Sequence, residues 1–455
     1  MLDTCNAANK ALSASSVTSL PFQLKTNSRD QEFLTGRVLD SEVSVTKEDK
    51  ILQNKSSSEE QIFQIASITK TFTAAALVKI ASNEKYSTAF NQDDPMATPI
   101  SEFESKLKPQ AQEYFNKLKL NPEFHYSDIT LRHLLNHNSG ITYQSFFDEF
   151  RGDQTQSRHL SSSTTPTKTK KGFAEFEYSD ANYNYLLAPI MEAVTGQEFS
   201  QIIKEQIIQP LNLQQTFMFD EMQYDSATNK VVVCERAETK VAQGYDYFQG
   251  KLTSGQDFNF DSAAGGIYSN TKEVSRFYKA LLNGDLLTSK GNQIFFDSKN
   301  FIPSDEPSNA NVKNSYGLGI RKAEGLGDYA GTEIFHHGGA ALGFYSYVIG
   351  QRDAGTFQNV KVASAMLAYE NLTRPIAAAL LGDEKKRIED GKFFVDEALV
   401  GKMNELAQNY TSEQLIEMRQ ELEKINAERL AMGREDTWVE RIREGQRGGE
   451  VSSQR

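Results

Sequence analysis

The stretch from Ser67 to Ala81 constrains the fold more than any other part of this chain. Thr71, Phe72, Ala74, Ala75, Ala76, Leu77, Val78 and Ile80 predict a helix over 67–81 with a dense apolar face. Such a helix must be buried, so further layers have to pack on it. A strand-like apolar piece at 62–66 leads directly into its start. Ser67 therefore stands where a strand passes into a buried helix, with the helix N-terminus facing a cleft. Backbone N–H groups and the helix dipole favour developing negative charge at such a place.

Lys70 follows three residues later, one helical turn away on the same face. A desolvated lysine loses part of its basicity and can then take a proton from a neighbouring hydroxyl. The Ser-x-x-Lys spacing occurs five times, starting at Ser44, Ser67, Ser82, Ser105 and Ser269. Context separates them. Ser44 lies in a charged run, Ser82 at a fraying helix end and Ser105 in a polar segment. Ser269 precedes a helix, where an N-cap role accounts for it. Only Ser67 joins an apolar strand to an apolar helix.

Other helices are expected at about 130–137, from 180 to 194 with a stop at Gly196, and at 271–284 with a stop at Gly284. Strand-like segments recur at 229–234, 241–248, 315–322, 343–350 and 359–369. The first 20 residues read as a polar tail, and 152–172 as a polar loop. Residues 383–444 are charged and helical in pattern. Thr411 and Gln414 form a capping box there, ahead of Leu415, Met418, Leu422 and Ile425.

Composition narrows the functions. The 455 residues carry a formal net charge of −12, which argues against gripping nucleic acid or an anionic membrane. No apolar run is long enough for a membrane span. The N-terminus lacks a basic start followed by an apolar run, so no secretory signal is expected there and the compartment stays open. The two cysteines, Cys5 and Cys234, are too few for a disulfide framework; one bridge between them is open, and two free thiols are the expected reading. No histidine pair has metal-ligand spacing with an acidic partner, so neither metal nor cofactor is expected. His133 and His137 are explained by packing and backbone hydrogen bonds. No Gly-x-Ser-x-Gly elbow is present, which argues against an α/β-hydrolase.

The segment from Ile65 to Leu77, Ile-Ala-Ser-Ile-Thr-Lys-Thr-Phe-Thr-Ala-Ala-Ala-Leu, resembles the nucleophile segment of the β-lactamase-related serine hydrolases. That group includes class C β-lactamases, DD-peptidases, D-aminopeptidases and family VIII esterases. Further segments resemble it in order. They are Asp93-Asp-Pro95, the run from Ile129 to Ile141, Tyr178-Ser-Asp180, the run from Ala264 to Ser269, and His337-Gly-Gly-Ala-Ala-Leu-Gly-Phe344. The resemblance spans roughly 21–375. It implies an α+β fold in which an antiparallel sheet is flanked by helices. A hydrolase domain at 21–382 would contain a mainly helical insertion at about 86–235, and a charged helical extension would occupy 383–455.

The resemblance also implies roles. Ser67 would attack a carbonyl and form an acyl-enzyme. Lys70 would accept or relay its proton. Tyr178 would act as base on the nucleophile and acid to the leaving group. His337 would orient the tyrosine or bind a substrate carboxylate. Gly338, Gly339 and Ala340 would line the substrate and oxyanion side. The backbone N–H groups of Ser67 and Ala340 would form the oxyanion hole, each worth about 3–4 kcal/mol. Two positions depart from the family pattern. His337 stands where lysine is common. Asp180 replaces the usual asparagine, and its charge would raise the Lys70 pKa and repel an anionic substrate. Tyr268-Ser-Asn270 matches Tyr-x-Asn better as a string, but Tyr178 precedes a helix as the family's tyrosine does.

The reading that follows is a serine hydrolase acting on an ester, an amide or a D-amino-acid-containing peptide, with a small-molecule or peptide substrate. The alternative is a catalytically silent scaffold that recruits a protein partner through 383–455.

Overall fold

The computed structural model describes residues 41–47, 50–55, 61–120, 126–141, 175–225, 230–234, 236–242, 245–248, 251–254, 262–306, 308, 312–325, 331–341 and 344–367. The expectations for 1–20, 152–172 and 383–455 lie outside these residues. The main sheet draws strands from both ends of the described chain. Strands β1 (Ser41–Lys47) and β2 (Lys50–Lys55) form a hairpin, and β3 (Gln61–Gln64) follows. Strands β4 (Phe217–Met218), β5 (Met222–Asp225), β6 (Lys230–Val233), β7 (Arg236–Val241), β8 (Tyr245–Phe248), β9 (Lys251–Ser254) and β10 (Ile267–Ser269) come from the middle. Strands β11 (Ile302–Pro303), β12 (Val312–Tyr316), β13 (Arg321–Gly325), β14 (Thr332–Ala341), β15 (Phe344–Asp353) and β16 (Lys361–Leu367) come last.

Eight strands pair antiparallel in the order β11-β12-β13-β14-β15-β16-β1-β2. The early hairpin therefore closes onto the last strand, with Ser41 opposite Leu367 and Val45 opposite Ala363. A second sheet has the order β4-β10-β3-β7-β6-β5 and contains a parallel pair, β3 with β7. β4, β5 and β6 fall inside the region expected to be mainly helical, so that insertion ends in strands. The strand read at 315–322 is instead two strands around a turn at 317–320. Gly319 sits there at φ +66°, and Leu318 and Ile320 turn into the core.

The expected helix is a short 3-10 turn, Ala66–Ile68, followed by α1 (Thr69–Ala81). Every residue of α1 except Lys79 is buried. Burying each large aliphatic or aromatic side chain contributes about 1.5–3 kcal/mol, so α1 is the main apolar anchor of the site. α2 (Pro109–Leu120), α3 (Leu131–Leu135), α4 (Ala188–Thr195), α5 (Phe199–Ile203) and α6 (Ser262–Gly265) precede α7 (Thr271–Leu282) and α8 (Ser289–Phe296). α7 lies between the main sheet and α1. Phe277 of α7 stacks on Phe72 of α1 with ring centroids 3.7 Å apart. Ser275 binds Ser364 of β16 at 2.9 Å.

The helix expected from 180 to 194 begins with a π-helical stretch, Asn182–Leu187, before α4. Gly196 closes α4 at φ +73° and Gly284 follows α7 at φ +79°. The N-cap of α7 is Asn270, not Ser269. Cys234 is disulfide-bonded, which corrects the expected free thiol at that position; Cys5 lies outside the described residues. No helix among the described residues is long and apolar enough to cross a membrane.

Candidate active site

Ser67 occupies the turn between β3 and α1. The turn is tight: Ala66 is held at φ +45°, a left-handed conformation costly for a residue with a side chain. β14 packs against this turn. A Cβ on Gly339 would overlap Ile65 O and Ser346 Oγ, so only glycine lets the strand approach so closely. Ser346 Oγ donates to Ile65 O at 2.8 Å and ties the two together. Ala340, the next residue of β14, is exposed. The chain thus brings the strand that carries Ala340 against the turn that carries Ser67.

Lys70 is fully buried and its ammonium has three acceptors. It lies 3.0 Å from Ser67 Oγ, 2.9 Å from Ala264 O and 2.5 Å from Asp180 Oδ1. Burial pulls its pKa below the ordinary lysine value, while the Asp180 carboxylate pulls it back up. Tyr178 is hydrogen-bonded to Ser67. Its ring centroid is 4.9 Å from Lys70 Nζ. Burial and the Asp180 charge push the phenol well above its usual range, so it holds its proton.

Ser67, Lys70, Tyr178 and Asp180 are therefore one cluster. His337 is adjacent but faces elsewhere. Its Nδ1–H donates to Gly338 O at 2.7 Å, and its Nε2 then accepts from the Tyr316 hydroxyl at 2.9 Å. Burial, then the Lys70 charge, holds its pKa well below the usual histidine value. The structure thus has His337 orienting Tyr316 as a neutral ring. The ring centroids of His337 and Tyr178 are 6.4 Å apart.

A family model described as Beta-lactamase matches residues 33–387. The chain belongs to that Beta-lactamase family. The unguisins hydrolase of Aspergillus campestris is 23% identical over 308 residues, which is 64% of this chain and 51% of that protein. The chain spans about half the length of the curated relatives it matches. Among solved structures, a D-stereospecific amidohydrolase from Streptomyces sp. aligns at 21% identity with a TM-score of 0.53, covering 77% of this chain and 93% of that one. A penicillin-binding protein homologue from Pyrococcus abyssi, an octamer, aligns at 20% identity with a TM-score of 0.56, covering 78% and 77%. At these identities the structural likenesses establish the Beta-lactamase fold alone.

Sequence reasoning missed four residues of this candidate site. Ala264 supplies a carbonyl to Lys70, and Asn184 Oδ1 holds Ala264 N at 2.9 Å. Tyr316 takes up His337. His137, expected to pack, also touches Tyr178, with ring centroids 4.3 Å apart. One signal was present for His137: a helix end where glycine or asparagine is usual carries a histidine instead. His133 has the bland role expected of it, in the capping box of α3 with Thr130. Tyr268 packs with Phe217, Phe219 and Met222, and Asn270 caps α7, so the second Tyr-x-Asn string is structural. Asp94 of the Asp-Asp-Pro segment holds Arg132 with two bonds of 2.7 and 2.6 Å. Among the described residues, no group of three His, Cys, Asp or Glu side chains is placed to hold a metal ion.

Proposed function

We propose that this chain is a serine hydrolase working through a Ser67 acyl-enzyme on an ester, an amide or a D-amino-acid-containing peptide. One observation carries the reading. A single hydroxyl, Ser67 Oγ, is engaged by Lys70 Nζ at 3.0 Å and by Tyr178, at the start of a buried helix. The opposite pKa shifts divide the labour. Lys70, lowered by burial, is the base that takes the Ser67 proton. The ammonium so formed keeps acceptors at Ala264 O and Asp180. Tyr178, raised by burial, is the acid that protonates the leaving group. The N–H groups of Ser67 and Ala340 receive the oxyanion.

The charges around Ser67 support a substrate without a free carboxylate. Among the described residues, Lys70 is paired with Asp180, and Arg321 with Asp305 at 2.6 Å. His137 and His337 are held neutral by burial. Neutral esters and amides, or peptides with a free amine, suit such a site. Two similar proteins, an unguisins hydrolase and a D-stereospecific amidohydrolase, bear names that agree with hydrolysis.

The test is intact-mass analysis of wild type and Ser67→Ala after exposure to a fluorophosphonate and, separately, to a penicillin. One fluorophosphonate adduct per chain, absent from Ser67→Ala, is expected, with little or no penicillin adduct. A penicillin adduct would overturn the charge argument. No adduct with either reagent would overturn the hydrolase reading and leave 383–455 as the functional part.

A further inference from the structure

His137 lies at the end of α3 and contacts the tyrosine segment at three successive residues. Its carbonyl accepts from Glu177 N at 2.8 Å. Its Nδ1 accepts from Ser179 N at 3.0 Å. Its ring lies against Tyr178, centroids 4.3 Å apart at 32°. We infer that His137 is a positioning residue that sets Tyr178 over Ser67 and Lys70. This inference rests on the reading of Tyr178 as the proton donor.

Two features show that this imidazole does more than fill space. Accepting at Nδ1 places the proton on Nε2, and among the described residues that buried N–H has no hydrogen-bond partner. An apolar side chain of similar size would fill the space without stranding a donor. What the imidazole adds over an apolar side chain is its Nδ1 acceptor. The backbone at His137 is also left-handed, at φ +60°. That conformation turns the chain out of α3 and aims Nδ1 at the 177–179 strip.

Charge keeps the contact in its working state. Lys70, His337 and Arg321 act on His137, and the phenols of Tyr178, Tyr183 and Tyr316 surround it. Burial, with the charges of Lys70 and Arg321, holds the ring neutral. A protonated ring would carry a hydrogen at Nδ1 and could no longer accept from Ser179 N–H.

The test compares His137→Asn with His137→Phe. Asparagine offers an acceptor oxygen near the Nδ1 position and tolerates left-handed backbone. Phenylalanine keeps the ring and loses the acceptor. With an ester substrate, His137→Phe is expected to lower kcat by about 100-fold with little change in KM, as a displacement near 1 Å does. His137→Asn is expected to keep most of kcat. Crystal structures of the two variants supply a readout independent of turnover: the Tyr178 hydroxyl should shift from Ser67 in the Phe variant and stay in the Asn variant. Equal loss of kcat in both variants, or an undisplaced Tyr178 in the Phe variant, would overturn the inference. If the Phe variant does not fold, a displaced Tyr178 in His137→Asn overturns it alone. A wild type without turnover would sink the hydrolase reading, while a displaced Tyr178 would still uphold this one.

Discussion

The two halves of the candidate site are positioned by different physics. Ser67 sits in the 3-10 turn that leads into α1 and Lys70 in the first turn of that buried helix, so their separation follows from the continuous helical winding of 66–81. Tyr178 and Asp180 come from a strip with no regular structure of its own. That strip is held by polar contacts: His137 on one side, Lys70 on the other. A packed helix tolerates the loss of one polar group because the apolar contacts around it remain. A pinned strip does not. The nucleophile half should therefore fail chemically when altered, and the tyrosine half should fail geometrically.

Lys70→Ala should have the largest effect. Removing the base is expected to lower the acylation rate by about 10²–10⁴-fold, read as the rate of fluorophosphonate adduct formation. It also leaves Asp180 buried without its cation, at a cost of about 3–5 kcal/mol in unfolding by denaturant. A fall in rate with no loss of stability would show that the pair does not support the fold. Tyr178→Phe comes next. It should slow amide hydrolysis by about 100-fold and slow hydrolysis of an activated aryl ester far less, because a good leaving group needs no acid. Equal losses on both substrates would place Tyr178 on the nucleophile instead.

Gly339→Ala is a smaller, mixed test. The new methyl group must push β14 away from Ile65 and Ser346, which moves the Ala340 N–H from the oxyanion. The expected cost is about tenfold in kcat and about 1–3 kcal/mol in stability. Asp180→Asn should change the rate least and the pH profile most clearly. The base form of Lys70 fills as pH rises through its pKa, which lies below the ordinary lysine value. The carboxylate raises that pKa, so removing it should move the rising limb to lower pH. It should also improve turnover of substrates that carry a carboxylate. A limb that stays in place would mean that Asp180 does not tune Lys70.

The same contrast explains what could be read in advance. α1 was legible because its apolar pattern is local and dense. Ser67 and Lys70 were legible with it, since i and i+3 share a helix face. The strands β15 and β16 showed in their apolar composition. The turn at 317–320 did not, because Tyr316, Leu318 and Ile320 alternate like a strand. Only the packed structure shows Gly319 lying against Lys70 O. The π-helical start at Asn182–Leu187 was hidden too, because its residues read as ordinary helix throughout 180–194. His137 looked like a core histidine because its partners at 177–179 lie some 40 residues further along the chain. Distance in sequence, rather than weakness of the interaction, concealed it.

The pairing of Lys70 with Asp180 also bears on how fast a substrate arrives. A lone buried ammonium would project a field out of the cleft and draw anions along it. Opposite charges 2.5 Å apart cancel each other within a few ångströms. A neutral ester should then associate at a rate independent of ionic strength. An anionic one meets only the repulsion of a chain that carries a net charge of −12, which added salt should relieve.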